Sequence, residues 1–119
     1  MDQEKRKPEK TLSAVLCAVK TAVAEWSNTD TQIRVMADSE SAYWAVADFD
    51  YCMGEIVVDQ PVWAPYRFVK MEILPLDEEL PVFVWYDSAD DDAAAVRQQI
   101  TEGLNAAMQC ETTHGRFVK

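Results

Sequence analysis

One histidine, three glycines and three cysteines in 119 residues leave little of the usual catalytic and metal-binding chemistry. His114 stands alone in the expected C-terminal tail, so neither a zinc set nor a Ser/His/Asp or Cys/His pairing is expected. Gly54, Gly103 and Gly115 are isolated, which excludes a glycine-rich phosphate loop. Cys17, Cys52 and Cys110 are odd in number, far apart and free of any Cys-x-x-Cys spacing, unlike a disulfide framework. Cys17 falls on an apolar helical stripe and is expected to be buried. Cys52 and Cys110 have no neighbouring His, Lys or Arg to lower a thiol pKa. No apolar run approaches the ~20 residues of a membrane-spanning helix. The charged first ten residues lead into no signal-type cleavage site, so a cytoplasmic protein is expected.

Basic charge is scarce as well. Lys and Arg number 11 against 21 Asp and Glu, for a formal net charge of −10. The imbalance is local. From Val35 to Val96 fourteen carboxylates face only Arg67 and Lys70, while the rest of the chain is close to balanced. Such a field repels nucleic acid and anionic membranes and attracts basic partners. It does not imply disorder, because 49% of the residues are hydrophobic and 10% aromatic. The length suits one domain with one core.

No repeat, low-complexity stretch or Gly/Ser linker divides the chain. Residues 1–7 are expected to be flexible, 8–110 to form a single α+β domain and 111–119 to be a tail. Pro8 suits a first helical turn. Leu12, Val15, Leu16, Val19, Val23 and Trp26 then follow at three- and four-residue spacing along one helix face, and Ser27 to Asp30 stops it. About five mostly antiparallel strands are expected at 32–37, 42–49, 55–60, 66–74 and 81–86. Ile33, Val35 and Ala37 share one side of the first. The last, Val82 to Tyr86, is apolar throughout and reads as the most buried. Ser88 or Asp90 can cap a C-terminal helix over 90–109, striped by Val96, Ile100, Leu104 and Met108. Both helices are expected on one sheet face, leaving the other open.

Two-residue alternation shows what the open face would carry. Opposite Tyr43, Ala45, Ala47 and Phe49 lie Trp44, Val46, Asp48 and Asp50; opposite Ile56 and Val58 lie Glu55, Val57 and Asp59. Opposite Val69, Met71 and Ile73 lie Phe68, Lys70 and Glu72, and Phe83 and Trp85 are placed on the same side. Aromatic anchors ringed by charge of one sign have the composition of a protein-binding patch. The expected anchors are Trp44, Trp63, Phe68 and Trp85, with Trp63 on the Pro61–Pro65 loop. Asp48, Asp50, Glu55, Asp59 and Glu72 would steer association.

Two carboxylate groups invite a chemical reading. Asp87, Asp90, Asp91 and Asp92 follow a buried strand and could ligate Mg²⁺ or Ca²⁺ through oxygen. Neither glycine nor a closing glutamate follows at calcium-loop spacing, and a capped helix start accounts for the run. Asp48 and Asp50 point to one side of a strand, as an acid–base pair would, but a solvated edge explains them more simply. No cofactor and no metal is expected.

The expectation is a small acidic module that docks a basic protein, with no nucleic-acid or membrane partner, as a monomer or homodimer. In size and charge alone the chain resembles small acidic inhibitors, immunity-type proteins and secretion chaperones. In its sharpest form the module would be a neutralising partner, such as an immunity-type inhibitor of a basic toxin. The alternatives are a small enzyme or metal- or ligand-binding domain using Asp48 and Asp50 or the Asp87 to Asp92 cluster, and a chaperone-like or homodimeric structural protein.

Overall fold

The computed structural model describes residues 11–26, 32–61, 66–76, 80–88 and 90–118, with side chains through residue 110. The chain runs α1 (Leu12–Glu25), β1 (Gln32–Asp38), β2 (Tyr43–Asp48), β3 (Cys52–Val58), β4 (Val69–Pro75), β5 (Phe83–Tyr86) and α2 (Ala93–Val118). The strands form one antiparallel sheet in the order β1-β2-β3-β4-β5. Helix, five strands, helix is the α+β order expected, with both helices on one face.

Alternation builds the covered face. Ala45, Ile56, Met71 and Trp85 form one row across β2 to β5, and Ala47, Gly54, Ile73 and Phe83 the next. Val15 and Val19 of α1 and Val96, Ile100 and Leu104 of α2 close over them, all fully buried. Side chains of this size each stabilise the fold by about 1.5–3 kcal/mol on burial. Gly103 lets α2 approach the sheet: a Cβ there would lie 2.4 Å from Met71 Cε and 2.9 Å from Phe83 Cε1.

Polar contacts fix the helix ends. Thr11 caps α1, its Oγ1 accepting from the Ala14 amide at 3.1 Å. Asp92 caps α2, its Oδ1 accepting from the Ala95 amide at 2.9 Å. The Trp26 indole N–H donates to Asn105 at 3.0 Å and its ring meets Phe49 edge-on, tying the two helices to the end of β2. Arg97 bridges α2 to Glu25 of α1. Lys20 of α1 pairs with Asp38 at 2.5 Å and lies over the Tyr43 ring, which anchors α1 above β1 and β2.

The local expectations differ from the structure at several places, among them β3, which runs Cys52–Val58 rather than 55–60, and β5, which alternates half-buried and exposed residues rather than being the most buried strand. The helix cap is Asp92 rather than Ser88 or Asp90, and α2 continues past residue 109 to Val118, through residues read as a tail. A bulge between Val35 and Ala37 shifts the β1 register, so Ala37 pairs with Trp44 and leaves the side that Ile33 occupies. Cys17 is exposed, since the buried stripe runs through Val15, Leu16, Ala18, Val19 and Ala22. The fourth strand begins at Val69 rather than residue 66, because the backbone of 67–69 is held by Asp87 instead. Pro8, Ser27 to Asp30 and Asp77 to Glu79 lie outside the described residues.

Burial pushes the Tyr43 phenol above its ordinary value of 10.0, and the Asp38 carboxylate adds to the effect. A raised folded-state value means the unfolded chain ionises first, so this contribution is complete below pH 10 and is lost as pH rises through the folded value. Urea midpoints between about pH 9 and about pH 11 should therefore fall less steeply for Tyr43→Phe than for the wild type. Equal slopes would contradict this.

Candidate functional site

The outer sheet face carries no helix among the described residues, and its side chains fall into rows set by the register. The central row is Arg34, Val46, Glu55, Glu72 and Val84 across β1 to β5. Beside it run Ala37, Trp44, Val57, Lys70 and Tyr86, and on the other side Asp48, Met53 and Leu74. Trp44, Met53, Leu74, Val84 and Tyr86 are all exposed, at 39–44% of their surface. Tyr66 stacks on Tyr86 with ring centroids 6.1 Å apart and extends the face past the end of β4.

Glu55 and Glu72 stand directly opposite each other at the centre of this face. Like charges so placed on adjacent strands oppose folding by a few tenths of a kcal/mol. Lys70 reaches Glu55 at 3.9 Å, and the Tyr86 hydroxyl donates to Glu72 at 3.3 Å. At the β1 side Arg34 pairs with Asp48 at 2.8 Å. These pairs are at least partly open to solvent and hold little energy. The Tyr66 hydroxyl donates to Asp59 at 3.2 Å, and burial followed by the Asp59 carboxylate raises its pKa.

The structure thus brings Trp44, Asp48, Glu55, Asp59 and Glu72 to one face or its rim, and it does not bring Phe68 and Trp85 there. Phe68 is only 3% exposed: its amide is drawn to Asp87, and the Arg67 guanidinium lies 4.8 Å from the centre of its ring. Trp85 pairs with Met71, a core residue, so the parity of β5 puts Trp85 and Phe83 beneath the helices. Asp50 sits in the exposed turn between β2 and β3. Trp63 lies outside the described residues. Met53, Leu74, Val84 and Tyr86 are the face residues that sequence reasoning missed. Met53 was hidden because Asp50 to Gly54 reads as the reversal between two strands, although starting the strand at Cys52 puts Met53 in phase with Glu55.

The acidic run after β5 is not one cluster but three separate pieces of local structure. Asp87 is 2% exposed, and its Oδ1 accepts from the amides of Arg67, Phe68 and Val69 at 3.0, 2.8 and 2.8 Å. Asp91 accepts from the Ser88 amide and hydroxyl at 2.8 and 3.2 Å. Asp92 is the helix cap. Among the described residues no three His, Cys, Asp or Glu side chains converge as metal ligands. The open groove between α1 and the β1–β2 turn, about 690 Å³, is lined by Ser13, Leu16, Cys17, Lys20, Thr21, Ser39 and Glu40. Its one cation is already paired with Asp38.

Among the described residues no helix is long and apolar enough to cross a membrane. Compared with protein-family models, curated proteins and solved structures, the chain matches none.

Proposed function

We propose that this protein is a binding module whose outer sheet face docks a basic protein partner. The observation that carries the reading is the opposed pair Glu55 and Glu72, set among exposed Trp44, Met53, Leu74, Val84 and Tyr86. Exposed aromatic and aliphatic side chains around a charge arrangement that folding does not favour are what an interface requires and a solvated face does not. In a chain of net charge −10, the partner that gains from this face is cationic. An immunity-type inhibitor that covers a basic toxin would use this geometry. An odd count of cysteines, far apart and without Cys-x-x-Cys spacing, is in keeping with action in the cytoplasm.

Trp44 is the anchor and the carboxylates steer. The dissociation rate of a complex with an identified basic partner should rise at least about tenfold in Trp44→Ala. It should stay unchanged in Gln98→Lys, on the exposed side of α2. Equal dissociation rates for wild type and Trp44→Ala would overturn the proposal. The carboxylate pair makes a second, opposite-signed test. Glu72→Gln relieves the cross-strand repulsion and should stabilise the free protein by a few tenths of a kcal/mol, while slowing association. A variant that lost stability in urea melts would show that Glu72 serves the fold.

A further inference from the structure

The two edges of the sheet are not alike. On β1 the edge is broken by the bulge between Val35 and Ala37, and Arg34 and Asp38 are engaged in ion pairs. Bulges and charges are the ordinary protection of an edge against a further strand. Within Phe83–Tyr86 the β5 edge has neither: Phe-Val-Trp-Tyr contains no charge and pairs in unbroken register, and exposed Leu80 and Val82 precede it, the Val82 amide turned inward to Ile73 at 2.8 Å. The Asp87 amide donates to Val69 of β4 at 3.1 Å, so two-residue alternation turns the amides of Phe83 and Trp85 to β4 and those of Val84 and Tyr86 outward.

We propose that the β5 edge takes up an extended basic segment of the partner as a sixth antiparallel strand. The inference rests on the reading of a basic partner and specifies how part of it is held. Alternation sets the chemistry of the segment. Residues on the helix side extend the row of Phe83 and Trp85 and are apolar. Residues on the outer side lie beside Val84 and Tyr86, next to the Glu72 row, and are Lys or Arg. A second copy of this chain fits less well. Antiparallel pairing of β5 with β5 brings Leu80 of one copy alongside exposed Asp90 of the other, between molecules that each carry −10. A cationic segment meets attraction where a second copy meets repulsion.

The probe is an end-blocked heptapeptide of alternating valine and lysine, titrated into the ¹⁵N-labelled protein at low salt and followed by amide chemical shifts. Val84, Tyr86 and their β4 neighbours should shift. Replacing the lysines of the peptide by glutamate should weaken binding at least about tenfold. So should N-methylation of one of the two alternating sets of peptide residues, and so should Val84→Pro in the protein, since each removes edge hydrogen bonds. The N-methylated peptides leave the protein untouched, so the test stands even where Val84→Pro does not fold. Shifts centred on Trp44 and Glu55, with affinity indifferent to N-methylation, would overturn strand addition and leave docking on the outer face intact. No shift at Val84 and Tyr86 at millimolar peptide would overturn it equally, without touching the dissociation test of Trp44→Ala.

Discussion

Replacing Asp87 by alanine should destabilise the protein by about 4 kcal/mol or prevent folding altogether. One carboxylate oxygen accepts from three consecutive amides, of Arg67, Phe68 and Val69, in a residue 2% exposed. Hydrogen bonds to a charged group are each worth about 1.5–3 kcal/mol, and a buried donor left without an acceptor costs about 1–3 kcal/mol. Not every bond counts in full, because the amide of Arg67 is less buried than the other two and also donates to the Asp87 carbonyl at 3.1 Å. Asp87→Asn keeps an acceptor oxygen in place and should cost less, about 1–2 kcal/mol. Urea unfolding of both variants checks the order. A loss below about 1 kcal/mol for alanine would mean that water or a relaxed backbone satisfies the three amides.

The second large effect is expected at Gly103. In an exposed helix, glycine to alanine would gain about 1 kcal/mol of propensity. Here the added Cβ meets Met71 Cε at 2.4 Å, Met71 Sδ at 2.5 Å and Phe83 Cε1 at 2.9 Å. Met71 is flexible, but it is fully buried, so moving its thioether displaces other core side chains. Overpacking of about 1–3 kcal/mol therefore exceeds the propensity gain, and Gly103→Ala should be destabilising overall. Gly103→Leu should separate α2 from the sheet and abolish cooperative unfolding. The cause is tested by a double-mutant cycle. In a Met71→Ala background, which itself costs about 2–5 kcal/mol, Gly103→Ala should become neutral or stabilising. Strict additivity would show that the contact with Met71 does not set the cost.

These two residues also mark where the sequence was legible and where it was not. The α1 stripe and the alternation in β2, β3 and β4 read directly, because one side of each is continuously apolar while the other carries its charged residues, and they put Trp44, Glu55 and Glu72 on the side away from the helices. β5 did not read, since each residue from Val82 to Tyr86 is apolar and alternation carries no phase. Only pairing of Trp85 with Met71 sets it. The β1 bulge leaves no local mark for a similar reason, its neighbours being exposed on both sides. Asp87 was indistinguishable from Asp90 to Asp92 in the sequence, yet a buried acceptor and a helix cap differ only in what the fold brings to them. Phe68 had the right parity for the outer face and was still lost from it, because it precedes β4, where three successive amides turn to Asp87 and alternation has not begun. What the sequence could not show about the candidate site was therefore its edge: Met53, Leu74, Val84 and Tyr86 belong to strand ends and to the strand without a phase.

The stability of the fold and the proposed use of its outer face make opposite demands on the centre of the sheet. Folding alone would place opposite charges, or none, at the Glu55–Glu72 position, and binding a cation favours two acids there. Such a departure from local preference is expected where a surface serves a partner. The partly exposed pairs Arg34–Asp48 and Lys70–Glu55 moderate the field without cancelling it, and 0.1 M salt confines what remains to about 10 Å.

The most direct measurement is the association rate of a cationic partner with wild type and with Glu55→Lys/Glu72→Lys, followed from low salt to about 0.5 M. The wild-type rate should fall steeply with salt. The double variant should associate more slowly at low salt, depend weakly on salt, and meet the wild-type curve at the high end. Identical rates for the two proteins at low salt would contradict the account, because the acidic centre of the outer sheet face would then have no part in binding.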